Sequence, residues 1–465
     1  MEHFFHLKEH GTDVRTEIMA GFTTFMAMAY ILMVNAGMFA ELGVVSYNAV
    51  YIATAISAIF GTVLIGLLAN LPLAQASGMG LNAYFVYTVC FGMGLTYANA
   101  LVLVLIDGLV FIVLTVTGLR KKIFDAIPKA VRVAIPAGIG LFIAFLGLQN
   151  AGIIVDNGAT LVSLASLNVY SGGVTWPTIM PMAVTFFALL AIAIMNKRGI
   201  KGSVLYGILG GAAGYYLLGL TIPGFYDGMA EKLSFNPFTA FSEFGTQAFG
   251  KVFTEGFNFS PFIQEHGMGA FIVMFVTTAL AFCMVDMFDT LGTLYGACAR
   301  GDMLDENGNV PNMDRAMMAD ALATTAGAVC GTSTVTTFVE SSAGVGEGGR
   351  TGLSALSTAF FFFIAMFLSP VAQLIPSCAT APALIYVGVL MMNCVREIDW
   401  LSTDMAVPAF LTVAMMPFTY SISFGIGFGL ISYTIIAVFT GKVREVKTTT
   451  WIIGILFALT FFLTH

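Results

Sequence analysis

Apolar residues run along almost the whole chain in blocks near the length, about 20 residues, that an α-helix needs to cross a bilayer. Short polar turns separate them. The pattern predicts membrane helices over 17–40, 49–70, 80–92, 97–119, 130–150, 178–196, 203–220, 268–298, 315–331, 339–349, 352–374, 379–395, 404–418 and 421–441. This is an all-α polytopic membrane protein of fourteen transmembrane segments, and no polar linker divides 1–465 into separate domains. A last apolar block at 449–464 is short for a crossing and is expected to be an extra interfacial or peripheral helix.

Fourteen segments divide into seven plus seven, and an odd number per half starts the second half from the opposite side of the membrane, as in inverted-repeat carriers. The stretch Ile127 to Pro136 before helix five echoes Ile375 to Pro382 before helix twelve, and Gly207 with Gly210 parallels Gly425 with Gly429. The third and tenth segments are both short and broken. Pro72-Leu-Ala-Gln-Ala-Ser-Gly-Met-Gly-Leu-Asn82 leads one and Gly331-Thr-Ser-Thr-Val-Thr-Thr-Phe-Val-Glu340 leads the other. Such a pair in corresponding places points to a binding site near the bilayer midplane. Each segment is expected to begin as an extended strand and turn into a half-helix. Free backbone N–H groups at the two half-helix starts are then expected to face a polar, planar ligand.

Composition narrows the class further. With 58% hydrophobic and 10% charged residues, no soluble fold of this length is possible. The net charge of −7 comes from scattered acids without a basic stripe, so nucleic acid is not an expected partner. Membrane lipid is. The six cysteines have no CxxC spacing and read as small core residues. The polar, acidic start lacks the features of a signal peptide. Basic residues gather at Arg120 to Lys122, Lys197 to Lys201, Arg300 with Arg315, Arg350, Arg396 and Lys442 to Lys447, whereas 151–177 and 221–266 carry few. The positive-inside rule then puts the N-terminus in the cytosol of a multi-pass cell (plasma or inner) membrane protein.

Candidate chemistry lies with three intramembrane acids. Asp286 and Asp289 sit three apart within the apolar run 271–300, and Glu340 follows the broken tenth segment. A carboxylate at that depth costs several kcal/mol unless it faces a polar cavity, so such residues are functional candidates by default. Structural alternatives stand beside each: Asp286 bonding Thr23 or Thr24, Glu340 as a helix cap, Asn82 capping its own half-helix. Asp107 is expected to be structural. His3, His6 and His10 lack a thiolate partner, Asp305 to Pro311 is an imperfect calcium loop, and there is no P-loop, so neither a metal, an organic cofactor nor ATP drive is expected.

The stretches Gly11 to Ile31, Gly78-Met-Gly-Leu-Asn-Ala83, Phe288-Asp-Thr-Leu-Gly-Thr-Leu294, Glu340-Ser-Ser-Ala-Gly344 and Gly348-Gly-Arg-Thr-Gly352 resemble the AzgA-like purine permeases of the nucleobase–ascorbate transporter superfamily. The resemblance spans nearly the whole chain. It implies a secondary active transporter importing purine nucleobases by proton symport, with H⁺ as the coupling ion, a core (15–120 and 267–374) and a gate (128–222 and 378–441), and a homodimer. Adenine-specialised relatives lack the Gly-Met-Gly-Leu-Asn form, which favours hypoxanthine and guanine. Adenine preference or a broad purine range with another coupling ion is the alternative. By the same resemblance Asp289, Glu340, Asn82 and Gly80 are substrate-binding positions. Thr293 stands where some superfamily members carry His or Asp, which argues against a proton path there.

The chemistry of a purine fits those groups. A carboxylate accepts from ring or exocyclic N–H, and an amide both donates and accepts. Phe338, Tyr84 and Phe288 are candidates for the ring face, Phe338 foremost. Asp286 or Glu340 is expected to carry the coupling proton. Two other classes make different demands on the residues. An intramembrane aspartyl hydrolase needs a second Asp on another helix in a Gly-rich motif, and an anion exchanger or channel would avoid acids beside its cavity.

Overall fold

The computed structural model describes residues 2–118, 127–168, 170, 174–226, 237–306 and 309–463. Basic residues 120–122 and part of the 305–311 turn lie outside them. Among the described residues eight helices are long and apolar enough to cross a membrane, and four more are apolar but shorter. The protein is a helical, multi-pass membrane protein. By place in the chain we number segment one (Val14–Ala40), two (Tyr47–Ala69), three (72–92), four (Tyr97–Thr117), five (Lys129–Asn150), six (Trp176–Lys197), seven (Ser203–Gly219), eight (Ser260–Arg300), nine (Met313–Cys330), ten (332–346), eleven (Gly352–Met366), twelve (Ser377–Glu397), thirteen (Thr403–Phe418) and fourteen (Ile422–Phe439).

Polar side chains at the turns set where helices begin. Asp13 accepts from Thr16 N–H at 2.8 Å, which with a smaller contribution from Arg15 holds its carboxyl below the usual range. Ser46 accepts from Ala49 N–H at 3.1 Å, and Thr96 and Asn99 form a reciprocal capping box at segment four. The echo between segments five and twelve has a physical form. Both follow a proline (Pro128, Pro376) and contain another (Pro136, Pro382), and they pack together where Gly140 meets Gly388.

Several boundaries differ from those expected. Segment eight runs from Ser260 rather than 268, because about two turns of helix before Gly267 join it across a break with φ 83° and ψ 161°, a conformation glycine alone adopts easily. The helix of segment ten is only Ser341–Gly346, ending before Gly348 at φ 98°. The helix of segment three begins as Met79–Ala83 and widens into a π-helix over Tyr84–Gly92. The 352–374 block splits into Gly352–Met366 and Ser369–Ala372, with Pro370 in the first turn of the second. The last helix, Thr448–Leu463, is no loose appendage: it packs on segments eight and fourteen, burying Phe457 and setting the Phe461 ring 4.8 Å from Phe428.

Strands qualify the all-α description. They are β1 (Gln75–Ser77), β2 (Ile154–Asn157), β3 (Leu161–Leu164) and β4 (Val335–Thr337). The β2–β3 hairpin occupies the 151–177 loop and had no expected counterpart. β1 pairs antiparallel with β4, Gln75 opposite Thr337 and Ser77 opposite Val335. Gly78 N–H to Thr334 O and Phe338 N–H to Ala74 O, both 3.0 Å, extend the ladder. Two short strands pair only along facing edges, so their outer edges need other partners. Thr62 of segment two donates to Gln75 O at 3.1 Å and accepts from Gln75 N–H at 3.0 Å. Thr324 of segment nine does the same for Val335, at 3.0 and 3.3 Å. Segments one, two, eight and nine pack on the paired strands, with four and eleven packed against those helices, while five, six, seven, twelve, thirteen and fourteen pack chiefly on one another.

Thr62→Val and Thr324→Val each strand a buried N–H and C=O, at about 1–3 kcal/mol per unpaired group. Both variants are expected to melt well below the parent in detergent. Thr117→Val, whose exposed hydroxyl bonds only its own helix, is expected to melt with the parent.

Candidate functional site

The strand crossing gathers polar side chains from seven segments, one to four and eight to ten. Segment eight passes β4, and Asp289 accepts from Thr336 Oγ1 at 3.3 Å while remaining partly open. Glu340 follows β4 after Phe338 and Val339, and it lies close enough for its charge to act on Asp289. Tyr30 of segment one donates to Glu340 Oε1 at 2.6 Å. Glu340 occupies the cap position of its half-helix without capping it by its side chain.

Asn82 lies within the first turn of the segment-three helix. It donates to Ser77 O at 3.4 Å and accepts from Ser333 Oγ, so it ties that helix to the approach of β4 rather than capping it. A buried relay continues from there. Ser77 and Thr332 hydroxyls are 2.6 Å apart, and Asn35 donates to Thr332 at 2.9 Å and to Thr54 at 2.7 Å. Gly80 meets segment five, where an added Cβ would lie 2.5 Å from Ile139 Cγ2. Phe338 and Phe288 are 6% exposed, whereas Tyr84 is fully buried with its ring 4.8 Å from Phe282.

One expectation is corrected. The N–H groups of Ser341, Ser342 and Ala343 turn back onto Phe338, Val339 and Glu340 carbonyls at 3.1, 3.0 and 2.9 Å. The tight turn satisfies its own donors, so segment ten presents a carboxylate there and not a row of free amides.

Behind Asp289 lies a second, wholly buried acidic group. No N–H or hydroxyl donor among the described residues reaches either oxygen of Asp286, so the expected alternative bond to Thr23 or Thr24 is not made. Its charged neighbours are Asp320, Asp107 and Asp289. Asp320, on segment nine, was not singled out from sequence. It accepts from Thr290 Oγ1 at 3.0 Å to both oxygens and from Gln75 Nε2 at 3.1 Å, which ties it to both segment eight and β1. The rule that flagged Asp286 applies equally to this acid between Ala319 and Ala321, inside the helix predicted over 315–331. Asp107 accepts from Thr334 Oγ1 at 3.1 Å and so supports the approach to β4. Among the described residues no group of His, Cys, Asp and Glu is arranged to hold a metal ion.

A partly open pair of carboxylates, an amide and apolar rings can take a planar molecule rich in N–H donors. Comparison with known proteins agrees with a carrier. The profile of a permease family, Xan_ur_permease, matches residues 15–428. The chain belongs to this nucleobase–ascorbate transporter family. The permease is 40% identical to a putative permease of Methanocaldococcus jannaschii, over 99% of this chain and 98% of the relative. It is 39% identical to the guanine/hypoxanthine permease PbuO of Bacillus subtilis (99% and 100%) and 37% identical to the adenine permease AdeP of Escherichia coli (99% and 95%). It is a membrane transport protein and not an enzyme. Its fold is similar to the transmembrane domain of a cyanobacterium bicarbonate transporter, BicA, with a TM-score of 0.60 at 14% identity over 88% of this chain and 96% of that one. It is also similar to SLC26A9, with a TM-score of 0.59 at 10% identity over 92% and 66%.

Gly80→Ala tests how closely segments three and five must approach. The added methyl is expected to cut transport strongly, and Ile139→Ala in the same chain to restore much of it, with surface expression measured alongside. Failure of the second change to restore uptake would show that Gly80 serves something other than this contact.

Proposed function

We propose that this permease imports purine nucleobases, hypoxanthine and guanine foremost, by proton symport. The observation that carries the reading is the placement of Asp289 and Glu340 beside the β1–β4 crossing, with Asn82 tied to the same strands. The carboxylates would accept from purine N–H groups, and the Asn82 amide keeps capacity for the oxo edge. Gly80 would set the backbone height of that edge, and Phe338 would lie under the ring. The names of the guanine/hypoxanthine and adenine permeases among its relatives support a purine. The Gly78 to Asn82 motif favours a six-oxo purine among them.

Asp286, surrounded by carboxyl groups, and Glu340, beside the substrate, are the proposed carriers of the coupling proton. If a proton at either favours the purine, the purine equally favours the proton, and a pH gradient does the work. In this reading all fourteen segments form a seven-plus-seven inverted repeat. The core (15–120 and 267–374) carries the site past the gate (128–222 and 378–441), the N-terminus is cytosolic in the plasma or inner membrane, and two copies form a homodimer. An adenine-preferring or broad purine carrier using another ion is the second reading, favoured by its likeness to AdeP.

Proteoliposomes containing the permease are expected to accumulate labelled hypoxanthine when the outside is acid, with guanine competing and uracil not. Asp289→Asn is expected to lower uptake at least ten-fold. Uptake indifferent to the proton gradient but driven by sodium would replace H⁺, and stronger competition by adenine would reverse the substrate order.

A further inference from the structure

Segment one runs antiparallel to segment ten and grips it at successive levels. Asn35 bonds Thr332 before β4. Tyr30 bonds Glu340 just after it. Ala20 and Thr24 lie so close to Gly344 that no side chain fits there. Below that, the buried Glu17 carboxylate accepts from the N–H groups of Arg350, Thr351 and Ser354 at 2.8, 3.3 and 3.0 Å, and from Ser354 Oγ at 2.7 Å. The turn after segment ten is therefore fastened to the same helix as its beginning. Arg350 adds bonds from its guanidinium to Val345 O and Gly349 O at 2.7 and 2.8 Å.

The other contacts hold a threonine hydroxyl, a close approach and backbone N–H groups, whereas the Tyr30 contact holds a carboxylate with candidate chemistry. Glu340 has flexible torsions and does not cap its helix by its side chain. Its Oε1 is engaged by a phenol that is itself fully buried and thus confined to one position. We propose that Tyr30 is the positioning residue of the site: it fixes the Glu340 carboxylate, occupies Oε1, and leaves Oε2 for a purine N–H. The proposal rests on the reading of Glu340 as a purine-binding group. It gives the Ala-Met-Ala-Tyr-Ile stretch of segment one a direct part in recognition.

Equilibrium binding of labelled hypoxanthine to the purified full chain tests it. Tyr30→Phe keeps the ring and removes the hydroxyl, and it is expected to weaken binding about ten-fold, the scale of one hydrogen bond to a charged group. The melting midpoint should stay close to that of the parent. In a Glu340→Gln background the partner is a neutral amide, whose hydrogen bond is about half as strong, so the same change is expected to weaken binding only about three-fold. Equal losses in both backgrounds would mean that Tyr30 acts through packing, and an unchanged Tyr30→Phe affinity would mean that it does not position Glu340; either overturns the proposal. If the parent binds no purine while other permeants bind, the functional reading fails first, and the Tyr30 proposal with it.

Discussion

Extended backbone in the interior of a membrane protein must find every hydrogen-bond partner within the protein, and the β1–β4 crossing is organised around that demand. Three residue pairs satisfy the facing edges of two short strands. Thr62 and Thr324 supply the outer edges, each with one hydroxyl that donates to and accepts from the same strand residue. Because the two threonines come from segments two and nine, both strands are locked to neighbouring helices in the same manner. The register then fixes the side chains that matter: Thr336 reaches Asp289, Ser333 reaches Asn82, and the chain leaving β4 delivers Glu340 to Tyr30.

Charge in such a place demands the same discipline as backbone. The acids divide into two arrangements. Asp289 and Glu340 are partly open and held by hydroxyls, as groups meeting a ligand should be. Asp107, Asp286 and Asp320 lie deeper; hydroxyl and amide donors reach Asp107 and Asp320, whereas Asp286 faces the Asp320 carboxyl. Two buried carboxyls can bond one another only by sharing a proton, since neither anion has an N–H or O–H to give.

The two helical groupings also meet away from the site. Thr88 at the far end of segment three donates to Tyr420 O at 2.8 Å, and Tyr420 in turn reaches Gln149 of segment five. Tyr87 donates to Glu41 at 2.9 Å. Asn150 of segment five reaches the other Glu41 oxygen at 3.4 Å, so this carboxylate is shared between the two groupings. A carrier that works by relative movement of two groups must break and remake contacts such as Thr88 to Tyr420 and Asn150 to Glu41.

Much of this protein was legible in sequence because a bilayer imposes crude, periodic demands. Apolar blocks gave the helices, and the short, glycine-broken third and tenth segments announced strands where helices could not run. Asp286, Asp289 and Glu340 stood out because charge is rare at that depth. What sequence left open concerns partners distant along the chain. Asp320 gains its place only when segment nine is set against segment eight and β1. Nor could periodicity show that Phe457 is buried against the body, or that the segment-ten amides close on themselves. Hydropathy records how deep a residue lies. Which hydroxyl faces which carboxylate is decided only when segments hundreds of residues apart are brought within hydrogen-bond reach, as Tyr30 is to Glu340.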